Sequence, residues 1–118
     1  MRTVEELMRD HLSTVFNERD KARRREAMAS VYAADITFSD PDGIVTGHED
    51  LNATIQRLLD QTPAFVFSRT GPIRTNHDLG YLTWGLGPEG QPPVVQGIDI
   101  AIIHNGLIRS LYTLLTNS

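Results

Sequence analysis

Two aspartates stand where the surrounding residues give little reason for a charge: Asp40, closing an alternating apolar run, and Asp99, inside another. Ile36, Phe38 and Asp40 recur at every second residue, so on a strand they share one face, with Thr37 and Ser39 on the other. If Ile36 and Phe38 point into a core, the Asp40 carboxyl does too, and there it is either hydrogen-bonded or keeps its proton. A group so placed can move protons near neutral pH. Asp40 also precedes Pro41-Asp42-Gly43, a turn sequence, and could simply cap that turn from the strand end. Asp99 interrupts Val94 to Ile103, an apolar stretch otherwise broken only by Gln96 and Gly97. A carboxylate in mid-strand needs a partner or a proton. It faces inward, as the second half of an acid–base pair, or outward against a cation such as Arg109 on the neighbouring strand.

The histidines offer less. His77, just before Asp78 and the strand leading to Trp84, is a candidate proton shuttle or a solvated loop residue. His11 lies on a helix face between Leu7 and Val15 and reads as a satisfied core or pocket-lip histidine. His48, beside Gly47, reads as helix-start chemistry, and His104 as solvated at a hairpin end. None has the H-x-x-x-H spacing of a metal site, so no metal is expected. The chain holds no cysteine, which excludes disulfides, thiol nucleophiles and cysteine-ligated metals. No Walker loop or dinucleotide fingerprint occurs, and no organic cofactor is expected. Trp84 shares a face with Leu82 and Leu86, as core or as a pocket wall whose indole N–H needs an acceptor.

Secondary-structure signals place these residues. Thr3 and Glu6 have capping-box spacing, and Val4, Leu7, Met8, His11, Leu12, Val15 and Phe16 form one helical face. Asn17-Glu18-Arg19-Asp20 breaks the pattern, and Asp20 can cap a second helix with Ala27, Met28, Val31 and Tyr32 inward. The cluster Lys21-Ala22-Arg23-Arg24-Arg25 reads as a solvated helix face, not a nucleic-acid patch. A strand starts at Asp35. After Gly47 a third helix is marked by Leu51, Ile55, Leu58 and Leu59, with Pro63 beyond its end. Strands follow at Phe65 to Arg69, Tyr81 to Leu86, Val94 to His104 and Leu107 to Leu115. Asn105-Gly106 joins the last two as a hairpin. Neither face of that hairpin is polar, so helices must cover one side and something else the other; a second copy of the chain is the expected cover, giving a homodimer through the sheet.

At 118 residues the chain is one domain, 1–118, with helices grouped against a sheet in an α+β pattern. Its net charge of −4 speaks against nucleic acid or anionic lipid as partner. No apolar run spans a bilayer and the charged N-terminus lacks a signal-peptide core, so a cytoplasmic location is expected.

The run Tyr32-Ala33-Ala34-Asp35-Ile36-Thr37-Phe38-Ser39-Asp40-Pro41, with Gly47 opening a helix, resembles the first strand of nuclear-transport-factor-two-like folds. Trp84, Gly97-Ile98-Asp99 and Asn105-Gly106-Leu107-Ile108 resemble the closing hairpin of their SnoaL-like branch, which holds relatives of ketosteroid isomerases and polyketide cyclases. The resemblance runs from Glu5 to about Leu115. It implies a cone-shaped, strongly curved antiparallel sheet wrapped around a pocket closed by three N-terminal helices, commonly dimeric through the sheet's outer face. It implies Asp40 as the base and Asp99, preceded by Ile98, as a neutral proton donor. It also puts His77 where this branch often has histidine. Isomerases of this type carry a tyrosine on the first helix, where alignment here gives Leu12; Tyr32 or Tyr112 could supply the hydroxyl. The expected pocket is lined by Leu12, Tyr32, Phe38, Trp84 and Tyr112 and takes a small apolar ligand. The implied function is isomerase or cyclase chemistry on an apolar carbonyl compound; the alternative is a non-catalytic ligand-binding or dimerisation module. An epoxide-hydrolase variant would need an Asp-Arg-Asp set, for which no arginine is placed.

Overall fold

The computed structural model describes residues 2–117. Helix α1, Val4–Asp10, starts at the expected capping box: Glu6 N–H donates to Thr3 Oγ1 at 3.1 Å and Thr3 N–H to Glu6 Oε1 at 2.8 Å. It runs on as a π-helical stretch, His11–Phe16, whose wider turn keeps His11, Leu12, Val15 and Phe16 all buried. Helix α2, Lys21–Val31, is capped by Asp20 as expected, and α3 spans His48–Gln61. His48 is indeed helix-start chemistry. Its Nε2–H donates to the carbonyls of Tyr32 and Ala33, and its Nδ1 accepts from Arg25 Nη1, which fixes the tautomer.

The strands are β1 Tyr32–Asp40, β2 Gly43–Thr46, β3 Phe65–Arg69, β4 Arg74–Asn76, β5 Leu79–Pro88, β6 Val95–His104 and β7 Leu107–Leu115. They form one open seven-stranded sheet in the order β2-β1-β7-β6-β5-β3, with β4 also on β5. The α+β class is as expected, but the sheet is mixed, not wholly antiparallel: β1 runs parallel to β7. The physical reason is that α3 and the β3–β6 strands intervene between β1 and β7 in sequence, a connection long enough for parallel pairing. Tyr32 belongs to β1, not to the inner face of α2, and β2 and β4 are strands beyond those expected.

The Asn105-Gly106 turn has φ of 52° and 79°, the left-handed pair a tight hairpin requires. A register shift at Ile102/Ile103 puts Ile108 and Leu111 on the same buried face. The inner face therefore carries Gly97, Asp99, Ala101 and Leu111, while Ile98, Ile100, Ile102, Tyr112 and Leu114 line the outside.

Two linker residues hold the β3 edge. Asn17 Nδ2 donates to Phe67 O at 2.8 Å while Phe67 N–H donates to Asn17 Oδ1 at 2.7 Å. Arg19 donates to the carbonyls of Leu59, Thr62 and Phe65, closing the end of α3. Arg24 departs from the solvated face expected of its cluster. It is 0% exposed, donating to Asn52 Oδ1 from Nε at 2.7 Å, and from its terminal nitrogens to Gln56 Oε1 and Glu18 O. Its spacing with Met28 and Val31 turns it inward against α3. Among the described residues no helix is long and apolar enough to cross a membrane.

Candidate active site

Asp99 faces inward and is 3% exposed. Its Oδ1 accepts from Trp84 Nε1–H at 2.9 Å and from Thr113 Oγ1–H at 2.7 Å, and its Oδ2 lies 2.7 Å from His11 Nε2. His11, 0% exposed, has its other nitrogen, Nδ1, 2.6 Å from the Tyr32 hydroxyl. A continuous chain thus runs from β1 through the π-helical turn to β6: Tyr32, His11, Asp99, then Trp84 and Thr113. Asp99 has no contact with the alternative partner Arg109, which pairs instead with Asp35 at 3.4 Å on the surface.

Each link has a local cause. Trp84 and Gly97 are cross-strand neighbours, and a Cβ on Gly97 would overlap the indole ring. Glycine there lets the ring lie flat on β6, which aims Nε1 at Asp99 two residues on. His11 sits on the buried face of the first helix, as its spacing with Leu7 and Val15 requires. Burial, and then the neighbouring Asp99 carboxylate, pushes the Tyr32 phenol well above its usual value, so Tyr32 keeps its proton.

Asp40 is half-buried at the end of β1. Its Oδ1 accepts from the backbone N–H groups of Asp42 at 2.9 Å and Gly43 at 3.1 Å, so the turn-capping role is real. Those bonds fix the carboxylate and leave Oδ2 without a hydrogen bond among the described residues. Asp40 also edges a groove of about 360 Å³ between α3 and the β1–β2 hairpin. Phe16, Phe38, Ile55 and Leu58 supply its apolar walls, and Thr54, Arg57 and Gln61 line it from α3. Extending the β1–β7 register by one residue sets Asp40 beside Thr113, which pairs with Asp99. The two aspartates therefore share the inner face two strand spacings apart, about 10 Å between Cα atoms.

They do not share the groove. Asp40 lines it and Asp99 does not. Phe16 touches both regions: it lines the groove, and its ring meets the His11 imidazole edge-on at 4.9 Å.

A family model for the SnoaL-like domain matches residues 8–111. The chain belongs to the SnoaL-like domain family. A proposed isomerase of the SnoaL-like family from Agrobacterium tumefaciens has a similar structure at TM-score 0.89 and 21% identity, covering 98% of this chain and 100% of that one. A proposed ketosteroid isomerase from Kribbella flavida is similar at TM-score 0.75 and 17% identity, over 98% of this chain and 78% of that one. A proposed polyketide cyclase from Sinorhizobium meliloti is similar at TM-score 0.73 and 13% identity, over 92% and 94%. No curated protein matches the chain. At these identities the likeness shows a common fold.

Within this SnoaL-like domain, the expected site residues separate into groups. Phe38 lines the groove, and Leu12, Tyr32 and Trp84 are buried behind it. Tyr112 does not line the groove: it is 49% exposed on the outer face, opposite its register partner Ile100. His77 is not brought to the groove or to the buried hydrogen-bonded chain either. It is exposed at the β4–β5 turn, with φ 53°. Asp99, expected to give a proton to the ligand, has both oxygens engaged, so wherever its proton sits, Oδ2 addresses His11 and not the groove. His11 is the residue whose role the sequence reading missed: its burial was legible, its partners were not.

Proposed function

We propose that this SnoaL-like domain binds a small apolar carbonyl compound in the Asp40 groove and, without an organic cofactor, catalyses isomerase- or cyclase-type proton transfer on it. The observation that carries the reading is Asp40 itself. One carboxylate oxygen is held by two turn amides while the other makes no hydrogen bond among the described residues, at the edge of a partly apolar groove whose volume lies within the ~300–1,000 Å³ range of ligand pockets. A fixed carboxylate at the edge of a ligand-sized groove is suited to taking a proton from carbon next to a carbonyl. Isomerisation, aldol-type cyclisation and dehydration share that step. Once turnover on a cyclic enone or polyketide-like compound is found, Asp40→Asn should lower kcat at least about a hundredfold with the fold intact. An Asn variant that keeps full turnover removes Asp40 as the base. The second reading, a ligand-binding module without catalysis, is favoured by one feature: the Tyr32–His11–Asp99 chain is sealed from the groove.

We further infer a homodimer through the outer face of β5, β6 and β7. Ile98, Ile100, Ile102, Tyr81 and Leu114 share that face in mid-sheet, with Tyr112 and Leu114 about half exposed. Light scattering at micromolar concentration should give twice the chain mass of 13.2 kDa. A monomer that persists at that concentration excludes the interface.

A further inference from the structure

The groove beside Asp40 carries charge of both signs, and the two signs come from different elements. Asp40 and Asp42 belong to the β1–β2 hairpin, while Arg57 lines it from α3 together with Thr54 and Gln61. Those three α3 residues recur at steps of three and four, so they form one stripe of the helix, with Leu58 alongside. Arg57 makes a single hydrogen bond, from Nη2 to Thr54 Oγ1 at 3.3 Å, and no ion pair among the described residues. The Thr54 hydroxyl proton is committed to Asp50 O at 2.9 Å, so its oxygen only accepts from the guanidinium. Asp60, three residues further along α3, bonds Gln56 instead. Arg19 and Arg24 spend their donors on carbonyl oxygens, whereas most N–H groups of Arg57 have no protein partner. Filling the groove changes that balance. A ligand packed on Phe38 and Leu58 displaces water from the guanidinium beside them. A neutral hydrocarbon surface gives nothing back, whereas a carboxylate accepts parallel N–H bonds and balances the charge.

We propose that Arg57 sets the specificity of the groove, and that the ligand is an oxo-carboxylate: an apolar body with a carboxylate at one end and its carbonyl towards Asp40. This rests on the Asp40 groove being the ligand site and names the class of compound that site takes. Asp40 and Asp42 repel a carboxylate from the hairpin wall, and Arg57 draws it to the α3 wall, so the charges allow the ligand one orientation. The carbon next to the carbonyl then lies on the side of Asp40. Arg57 also offsets the charge that an anionic ligand adds to a chain already at −4. It is a binding residue and takes no part in moving the proton.

The test is NMR titration of the full chain with 4-oxocyclohexane-1-carboxylate and, as its uncharged counterpart, the methyl ester of that acid. Both should shift the ring signals of Phe38 and the methyl signals of Leu58, and the acid should bind at least about tenfold more tightly. Arg57→Gln should remove that advantage while leaving the affinity for the ester within about twofold. Arg57 is exposed and its one bond is to an exposed hydroxyl, so the change leaves the fold intact. Shifts at Phe38 and Leu58 with equal affinities for acid and ester overturn the carboxylate preference and leave the groove as ligand site. An acid preference that survives Arg57→Gln overturns Arg57 as the anchor. Absence of shifts at Phe38 and Leu58 with either compound removes the groove reading and this inference with it.

Discussion

Asp99→Ala should lower the free energy of unfolding by about 2–5 kcal/mol, because two buried polar groups lose their acceptor at about 1–3 kcal/mol each. Its carboxylate is the acceptor on which three elements converge: the π-helical turn through His11, β5 through Trp84 and β7 through Thr113. Alanine leaves the indole N–H and an imidazole nitrogen buried without partners, since Trp84 is 5% and His11 0% exposed. Thr113, half-buried, can turn towards water. Asp99→Asn should cost less, about 1–2 kcal/mol, because its carbonyl oxygen still serves Trp84 and Thr113. Its amide must then donate to His11 Nε2, which moves the imidazole proton to Nδ1, towards Tyr32. Urea unfolding followed by the fluorescence of the single tryptophan reads both variants directly. A loss below about 1 kcal/mol for Asp99→Ala would mean that the chain does not hold the helix to the sheet.

Arg24→Ala is the second large effect, at about 3–4 kcal/mol. The guanidinium joins α2 to α3 through neutral acceptors, with no carboxylate in contact, and desolvation draws its pKa down against the opposing pull of Glu18, Asp20 and Asp60. Truncation removes the buried stem and leaves the Asn52 carbonyl oxygen short of a donor, Asn52 being buried as well. Arg24→Met should recover at least about half of that loss, since it refills the stem volume and takes a desolvated charge out of the interface. Lysine is no substitute, because one ammonium on a flexible stem cannot reproduce a fork directed at three acceptors. Urea midpoints of the three variants decide it. If methionine proves as costly as alanine, the bonds and not the packing hold α2 to α3.

Much of the fold was legible because it rests on local chemistry. The capping box at Thr3, the Asp20 cap and the Asn105-Gly106 turn each depend on residues a few positions apart, and all three form as read. Strand β2 escaped because its four residues are mostly exposed and present no alternation; only pairing with β1 makes it a strand. Parallel pairing of β1 with β7 joins opposite ends of the chain and leaves no local mark. The site divides in the same way. That Asp40 caps a turn was readable from Pro41-Asp42-Gly43 and its inward face from alternation, whereas the apolar residues on both faces of β6 left the direction of Asp99 open. The His11–Asp99 contact joins positions 88 residues apart, and no spacing rule links a helix histidine to a particular strand carboxylate. Arg24 did carry a signal: the i, i+4, i+7 spacing with Met28 and Val31 outweighs the charge cluster around it.

The short segment between α1 and α2 has a consequence for how this protein behaves in a crowded solution. An open sheet offers its outermost strand as a template on which a foreign strand can grow. Here the outward-facing amide and carbonyl of Phe67 are taken up by the Asn17 carboxamide, and the carbonyl of Phe65 by Arg19. Side chains thus stand in for the strand that is missing, and that margin of the molecule is closed to fibril-like growth without a further element of backbone having to cover it.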